Sequence, residues 1–176
     1  MPSRVSSGIM QLATDETYHH GYARRDRAAE YQREVLAFQL AREEYALDIL
    51  RIREILKMRS ITDVPRAPTF VLGIVALRGQ VIPVINLRLR LRMPSTPVGK
   101  DTRILIVTRD GEQFGLIVDA VNQVVRMRDE EIEPPPPMIG GVESEFVSGI
   151  GRPRADRLLI LLNLDAVVNF SVGGRK

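Results

Sequence analysis

The sequence predicts an all-β fold with short helices, in which a duplicated unit of five strands forms two small barrels. Three observations lead to this prediction: apolar residues occur in short strand-like runs, the runs recur at a fixed spacing, and each recurrence supplies five strand candidates. Five strands of about five residues cannot bury both faces of an open sheet, so each unit is expected to curl into a barrel. The 176 residues suffice for one domain or two small ones.

Residues 1–33 are predicted to form a mobile or partly helical tail. They are polar and mix both charge signs, as in the phrase YARRDRAAEYQRE, which disfavours a packed core. The segment lacks the apolar run of a secretory signal, and the longest uncharged stretch, residues 67–77, is too short for a membrane span of roughly 20 residues. The sequence therefore predicts a cytoplasmic protein.

The first unit begins at residue 34, where the sequence becomes β-like. Its strand candidates are residues 35–40, 45–50, 52–57, 74–78 and 81–85. A charged turn with the sequence AREE separates the first two candidates, and Gly79, which tolerates positive φ, forms the turn between the last two. Pro65 and Pro68 bound a linker between the third and fourth candidates.

The second unit repeats the first with a constant shift of 69 residues and no gap through its first three strands. Tyr45 aligns in this way with Phe114, and Ile55 aligns with Val124. Later parts align with shifts of 76 and 77, so one residue is inserted, and the loop RPRADR is expected to hold it. The linker of the second unit is the run of prolines at 134–137, which favours an extended spacer.

Each unit ends in a segment for which two patterns disagree. Residues 87–93, LRLRLRM, alternate with period two, which is typical of a half-buried strand with an arginine-rich face. The corresponding LDAVVNF follows Asn163, and asparagine is a good helix N-cap, so a short helix is predicted for residues 164–169. Strand and helix both stay open for residues 87–92.

The domain boundaries follow from the repeat. The barrel domain is expected at residues 34–170, made of two intertwined halves at approximately 34–100 and 101–170, with a C-terminal tail at 171–176. Residues 51–110 carry 12 basic and 4 acidic side chains, a net charge of +8, whereas residues 111–150 carry 2 and 8, a net charge of −6. Such polarity suits oriented docking between proteins, and it is equally compatible with ordinary solvated faces.

The residue inventory argues against catalysis. The chain has no cysteine, and its only histidines, His19 and His20, lie in the tail, so thiol nucleophiles, cysteine-based metal sites and histidine bases are not expected in the barrels. Phosphate-loop, dinucleotide, zincin and serine-hydrolase motifs are absent from the sequence. We therefore expect a binding protein without cofactor or metal. Glu54 and Arg78 fit either two solvated side chains or a charged recognition spot.

Four phrases of the sequence occur in an order and spacing typical of one family. They are FQLAREEYALDILRIREIL, VPRAPTFVLGIVALRGQVIPVINLRLRL, ILIVTRDGEQFGLIVDAVNQVVRM and FVSGIGRPRADRLLILLNLDAVV. Together they closely resemble the CheW family of chemotaxis coupling proteins. The resemblance implies two five-stranded SH3-like β-barrels and a non-enzymatic adaptor. It also implies two partners, the cytoplasmic tip of a methyl-accepting chemoreceptor and the regulatory domain of a CheA-type histidine kinase, with membrane association only indirect through receptors.

The resemblance also implies a binding surface. By matching position, the receptor- and kinase-binding residues are Ile52, Glu54, Gly73, Arg78, Val121, Val124 and Gly149. An apolar groove between the barrels is then expected to receive a receptor helix. Ala76 departs from the family pattern, because many members have asparagine there, and the long tail and four-proline linker are not typical either.

A nucleic-acid-binding barrel is the alternative hypothesis. Small β-barrels with basic strips such as RLRLR perform that role, and their binding weakens steeply with salt. Aromatic side chains for base stacking are scarce outside the tail, which disfavours the alternative.

Overall fold

The structure is a computed structural model that describes residues 32–170. Nearly all of the predicted tail at residues 1–33, and the whole predicted C-terminal tail at residues 171–176, lie outside the described residues. The structural results therefore concern the barrel domain.

Strands dominate the described chain, which confirms the predicted all-β class with short helices. The strands are β1 (Gln32–Leu40), β2 (Glu43–Asp48), β3 (Ile52–Lys57), β4 (Val71–Leu77), β5 (Gln80–Asn86), β6 (Arg103–Arg109), β7 (Glu112–Val118), β8 (Ala120–Arg128), β9 (Ile132–Glu133), β10 (Met138–Ile139), β11 (Val142–Glu143), β12 (Val147–Arg154) and β13 (Arg157–Leu162). The helical elements are the α-helices α1 (Leu87–Arg90) and α2 (Leu164–Val167) and the 3-10 turns η1 (Ile49–Arg51), η2 (Asp129–Glu131) and η3 (Ser144–Phe146).

The duplication is visible element by element. The series β1, β2, β3, β4, β5 and α1 of the first repeat corresponds to β6, β7, β8, β12, β13 and α2 of the second. Three two-residue strands, β9 to β11, have no counterpart in the first repeat and were not predicted. Residues 134–136 of the predicted proline spacer have no regular structure.

The two large sheets exchange strands between the repeats. One sheet has the order β8-β1-β2-β13-β12-β9, and the other has the order β3-β6-β7-β5-β4. Parallel pairs form the junctions, with Tyr45 opposite Ile160 in one sheet and Val84 opposite Gly115 in the other. The expectation that each repeat curls into its own barrel is thus wrong, because the first hairpin of each repeat completes the sheet of the other.

The exchange suits strands that are apolar on both faces. In β1, Leu36 and Phe38 pack into a core shared by the two sheets, whereas Val35 and Ala37 pack into a separate cluster within their own sheet. A strand of this kind needs a packed layer on each side. The shared core is the largest of the three clusters. Strand β1 lies between it and one of the smaller clusters, and β6 lies between it and the other.

Both repeats end in a capped helical turn. Oδ1 of Asn86 accepts a hydrogen bond from the backbone N–H of Leu89 at 3.1 Å, and Oδ1 of Asn163 accepts one from Ala166 at 3.2 Å. The helix predicted for residues 164–169 is confirmed as α2, and the choice that the sequence left open for residues 87–92 is a helix followed by a turn.

Two of the three arginines of the RLRLR phrase are bound within the fold, and the third, Arg92, forms an exposed ion pair with Glu143. Nε and Nη2 of Arg88 donate to the carboxylate of Asp119 at 3.1 and 2.6 Å. Nε of Arg90 donates to the carbonyl of Val167 at 2.7 Å, and its guanidinium lies 4.5 Å from the ring centroid of Phe70. These side chains do not form an open basic strip, so the nucleic-acid hypothesis loses the feature that suggested it.

Two boundaries differ from those predicted. The inserted residue of the second repeat lies in a β-bulge, because Gly151 pairs with Leu159 while Arg154 pairs with Arg157. Most of the predicted loop RPRADR is consequently strand, with a turn only at residues 155–156. Strand β2 ends at Asp48 rather than residue 50, because the Asp48 carboxylate caps η1.

Candidate partner-binding surface

Glu54 and Arg78 form a bidentate ion pair on the surface. Nη1 of Arg78 donates to Oε1 of Glu54 at 2.7 Å, and Nη2 donates to Oε2 at 2.9 Å. The Arg78 side chain is 70% exposed and that of Glu54 is 26% exposed. Their hydrogen bonds lower the pKa of Glu54 and raise the pKa of Arg78, so both groups are charged at neutral pH. The structure therefore joins two of the predicted site residues in one charged feature.

Backbone geometry places this pair. Arg78 and Gly79 are the two central residues of the β4–β5 turn, with φ angles of 50° and 80°. Two positive values are what a type I′ hairpin turn requires. Glu54 lies on β3 just after a β-bulge in the pairing with β6. The ion pair thus ties the tip of one hairpin to a strand at the end of the same sheet.

Gly73 and Gly149 are buried at close backbone approaches rather than exposed to a partner. A Cβ atom on Gly73 would lie 2.1 Å from the carbonyl oxygen of Thr62, and φ at Gly73 is 149°. A Cβ atom on Gly149 would lie 2.9 Å from Cγ2 of Ile132 and 3.1 Å from the carbonyl oxygen of Glu133. Both glycines are therefore required for the shape of the strands that carry them.

The apolar site residues divide into buried and exposed positions. Ile52 and its repeat partner Val121 are half-buried and pack against the shared core. Val124 is 48% exposed, and its repeat partner Ile55, which the sequence left open between core and partner, is 44% exposed. The first-repeat residues lie on β3 and the second-repeat residues on β8, end strands of different sheets. The apolar groove between the barrels stays a prediction.

Gln80 and Gln113 extend the surface and were missed by the sequence analysis. Nε2 of Gln113 donates to Oε1 of Gln80 at 2.6 Å. Together with Glu54 and Arg78 they line a cleft of about 450 Å³, and they also line a second cleft of about 550 Å³ that reaches Phe114. Gln80 directly follows the turn glycine Gly79, and Gln113 lies two residues after the turn glycine Gly111, so the turn glycines are the sequence signal that places both glutamines near hairpin tips.

Two kinds of feature can be checked in the described residues, namely clusters of metal-binding side chains and long apolar helices. Within 32–170, no cluster of three or more histidine, cysteine or carboxylate side chains is placed to hold a metal ion. No helix in the same part of the chain is long and apolar enough to cross a membrane. What this surface offers is an exposed ion pair, exposed apolar side chains and open clefts.

Two sheets built from duplicated halves, with an exposed ion pair beside open clefts, are typical of a module that binds other proteins. Residues 34–171 match the family model of the CheW-like domain, which covers both repeats. The chain therefore belongs to the CheW family of chemotaxis coupling proteins, and the resemblance seen in the sequence is confirmed.

Individual relatives agree with this assignment. The chemotaxis protein CheW of Helicobacter pylori is 35% identical over 133 residues, which is 76% of this chain and 79% of the relative. The probable chemotaxis protein CheW of Rhizobium etli is 35% identical over 136 residues, which is 77% of this chain and 86% of the relative. The chemotaxis protein CheW of Bacillus subtilis is 32% identical over 137 residues, with coverage of 77% and 86%.

A solved structure shows the same architecture. The crystal structure of the scaffolding protein TtCheW from Thermoanaerobacter tengcongensis matches with a TM-score of 0.74 and 39% identity, covering 82% of this chain and 97% of that one. This match supports the predicted pair of five-stranded SH3-like barrels. The comparisons give no support to the nucleic-acid hypothesis.

Proposed function

We propose that the chain is a non-catalytic adaptor that couples chemoreceptors to a CheA-type histidine kinase in bacterial chemotaxis or motility signalling. The family match over residues 34–171 carries this proposal, because it spans both repeats and the whole described surface. The proposed partners are the cytoplasmic tip of a methyl-accepting chemoreceptor and the regulatory domain of the kinase. The adaptor is cytoplasmic and reaches receptor arrays only through these proteins.

The Glu54–Arg78 pair is the charged part of the proposed coupling surface. A guanidinium group has five N–H donors, and two of those of Arg78 are used by Glu54. The remaining donors of an exposed side chain are available for carbonyl or carboxylate groups of a partner. The pair also fixes the rotamer of Arg78, so less side-chain entropy is lost on binding.

The other proposed residues act in two ways. Val124 offers an exposed apolar side chain for direct contact, whereas Ile52 and Val121 support the surface from the edge of the shared core. Gly73 and Gly149 contribute through backbone shape, since neither position tolerates a Cβ atom without displacement of its neighbours.

Charge reversal tests the adaptor and its surface. We expect Arg78→Glu and Glu54→Arg each to reduce co-sedimentation of the chain with receptor-containing membranes and kinase about tenfold, which corresponds to about 1.4 kcal/mol. Both variants are expected to stay folded, because exposed ion pairs contribute little to stability. Arg92→Glu, which breaks the exposed pair with Glu143, is the matched control and is expected to leave coupling unchanged.

Two outcomes would count against these assignments. Unchanged coupling in both reversed variants contradicts the role of the Glu54–Arg78 pair. Failure of the wild-type chain to bind either the kinase regulatory domain or the receptor contradicts the adaptor function itself.

A further inference from the structure

The outer strand β3 carries a row of basic side chains around one exposed isoleucine. Arg53, Lys57 and Arg59 are exposed, and Ile55 between them is 44% exposed. Arg103 on β6 stands directly opposite Lys57. We call these four basic residues around Ile55 the basic stripe. Within residues 32–170, no ion pair or side-chain hydrogen bond joins Arg53, Lys57 or Arg59 to another residue, although the charge of Arg59 contributes to lowering the pKa of the nearby Glu54.

The second repeat contains the same row, but its basic side chains are neutralised within the chain. With the shift of 69 residues, Ile55, Lys57 and Arg59 correspond to Val124, Arg126 and Arg128, whereas Arg53 corresponds to the uncharged Asn122. Nε of Arg126 lies 2.9 Å from a carboxylate oxygen of Glu34, and Arg128 pairs with Glu131 at 3.6 Å. The exposed valine of the second repeat is thus followed by two arginines whose charges are paired with carboxylates.

The neutralising carboxylate has no counterpart in the first repeat. The residue that corresponds to Glu34 is Arg103, so a basic side chain stands where the second repeat has an acidic one. Like charges at opposed positions of a strand pair destabilise a sheet, and Arg103 faces Lys57. Nη1 of Arg103 donates to the carbonyls of Lys100 and Thr102, which leaves its charge uncompensated by these contacts. The fold therefore tolerates an excess of positive charge at the stripe.

Protection of a sheet edge does not account for this excess. Lysine and arginine on an end strand hinder edge-to-edge association of sheets. Strand β8 is also an end strand and carries its arginines in ion pairs, so the second repeat shows that free charge is not required for this purpose.

We propose that the basic stripe binds an acidic amphipathic segment of a partner protein. One apolar side chain of that segment packs on Ile55, and carboxylates on either side of it pair with Arg53, Lys57 and Arg59. The carboxylates take the place that Glu34 has in the second repeat, and the central isoleucine favours a protein segment over a nucleic-acid backbone. This inference rests on the proposed function, because the segment belongs to the receptor or the kinase.

Peptide titration of the full chain tests the stripe. The probe is a synthetic peptide with a leucine flanked by glutamates, compared with a peptide in which glutamines replace the glutamates. Arg103→Glu places a carboxylate in the first repeat at the position that Glu34 has in the second. Arg126→Glu is the control, because it makes the same change in charge in the second repeat, where the basic side chains are already paired. We expect Arg103→Glu to weaken binding of the acidic peptide about tenfold at low salt, with the difference shrinking as salt is added. Arg126→Glu shows how a change of charge outside the stripe affects binding. The glutamine peptide shows how much binding remains without the carboxylates.

Lys57→Gln is a second variant with a smaller expected loss of affinity. The inference is overturned if Lys57→Gln and Arg103→Glu, both folded in a thermal melt, bind the acidic peptide as tightly as the wild type. It is also overturned if a single-stranded oligonucleotide binds more tightly than the acidic peptide.

Binding of the receptor fragment and the kinase regulatory domain to the same variants separates the two proposals. Weaker binding of either partner by Arg103→Glu, with Arg126→Glu unaffected, supports the stripe. Unaltered binding of both partners by Arg103→Glu overturns the stripe and leaves the adaptor function standing. Failure of the wild-type chain to bind either partner overturns the adaptor function.

Discussion

Arginine–carboxylate pairs have two different roles at the residue scale. Arg157 on β13 donates through Nε and Nη2 to Glu44 on β2 at 3.0 and 2.7 Å, and these side chains are only 18% and 19% exposed. The pair spans the parallel junction where the two repeats meet in one sheet. Arg78 and Glu54 have the same bidentate geometry on an exposed hairpin tip. Burial therefore separates a pair that holds the fold from one that is available to a partner.

The Glu44–Arg157 pair predicts a pH dependence of stability. The hydrogen bond from Arg157 lowers the pKa of Glu44 from its ordinary value of 4.5. A carboxyl with a lowered pKa in the folded state contributes stability above the ordinary value, and this contribution is lost as the pH falls through the lowered pKa. We expect Glu44→Gln to lower the free energy of unfolding at pH 7 and to flatten its fall below pH 4.5. Equal acid sensitivity of variant and wild type in urea titrations contradicts this role.

The buried hydroxyl of Tyr45 leads us to expect that its removal does not lower the stability of the fold. Its hydroxyl is buried and has no hydrogen-bond partner among the described residues, and burial raises its pKa. An unsatisfied buried polar group costs about 1–3 kcal/mol, and the second repeat has Phe114 at the corresponding position. Tyr45→Phe is therefore expected to leave the free energy of unfolding unchanged or raise it by up to about 1 kcal/mol. If chemical denaturation shows that Tyr45→Phe lowers the free energy of unfolding by more than about 1 kcal/mol, the hydroxyl has a hydrogen-bond partner.

The hairpin β4–β5 shows at the scale of an element how the site depends on backbone shape. The backbone of Thr62 forms hydrogen bonds of 2.9 and 2.8 Å with that of Ile74, next to Gly73. This contact fastens the segment that follows β3 to the middle of β4, the strand that leads to the turn carrying Arg78. Backbone hydrogen bonds and the Glu54–Arg78 pair thus both join the chain around β3 to this hairpin.

Gly73→Ala is expected to disturb this arrangement. The added Cβ atom meets the Thr62 carbonyl, and φ of 149° is unfavourable for an L side chain, so we expect a loss of about 2–4 kcal/mol in the free energy of unfolding. Gly111→Ala is the control, since φ there is 83° but no atom lies within 4 Å of the added Cβ. The control is expected to lose about 1 kcal/mol, from backbone strain alone. Equal losses in the two variants contradict the close approach at Gly73.

Elements with a local chemical signal were predictable, whereas those decided by distant contacts were not. Asn163 indicated the cap of α2, and Gly79 indicated the β4–β5 turn, because capping and positive φ depend on a few neighbouring residues. The alternation of residues 87–93 was ambiguous, because Arg88 and Arg90 find their partners at Asp119 and at the end of α2. No local pattern reports those contacts.

At the largest scale, the two repeats exchange strands within the described residues, and the sequence repeat alone does not reveal this exchange. The alignment of β1 with β6 identifies equivalent strands, but equivalent apolar patterns can pair with either repeat. The pairing of β2 with β13 is decided by burial on both faces in the shared core. Glu54 and Arg78 were each named as site residues through family likeness, but their ion pair was only one of two readings that the sequence left open. Gln80 and Gln113 are joined to them only where two hairpins meet in space.

Receptor-dependent autophosphorylation of the kinase tests the proposed adaptor function most directly. Purified kinase and receptor-containing membranes are combined with and without the full chain. The adaptor function predicts that receptor changes kinase activity strongly only when the chain is present, and that Arg78→Glu reduces this change while Arg92→Glu does not. The same kinase activity with and without the wild-type chain would contradict the account.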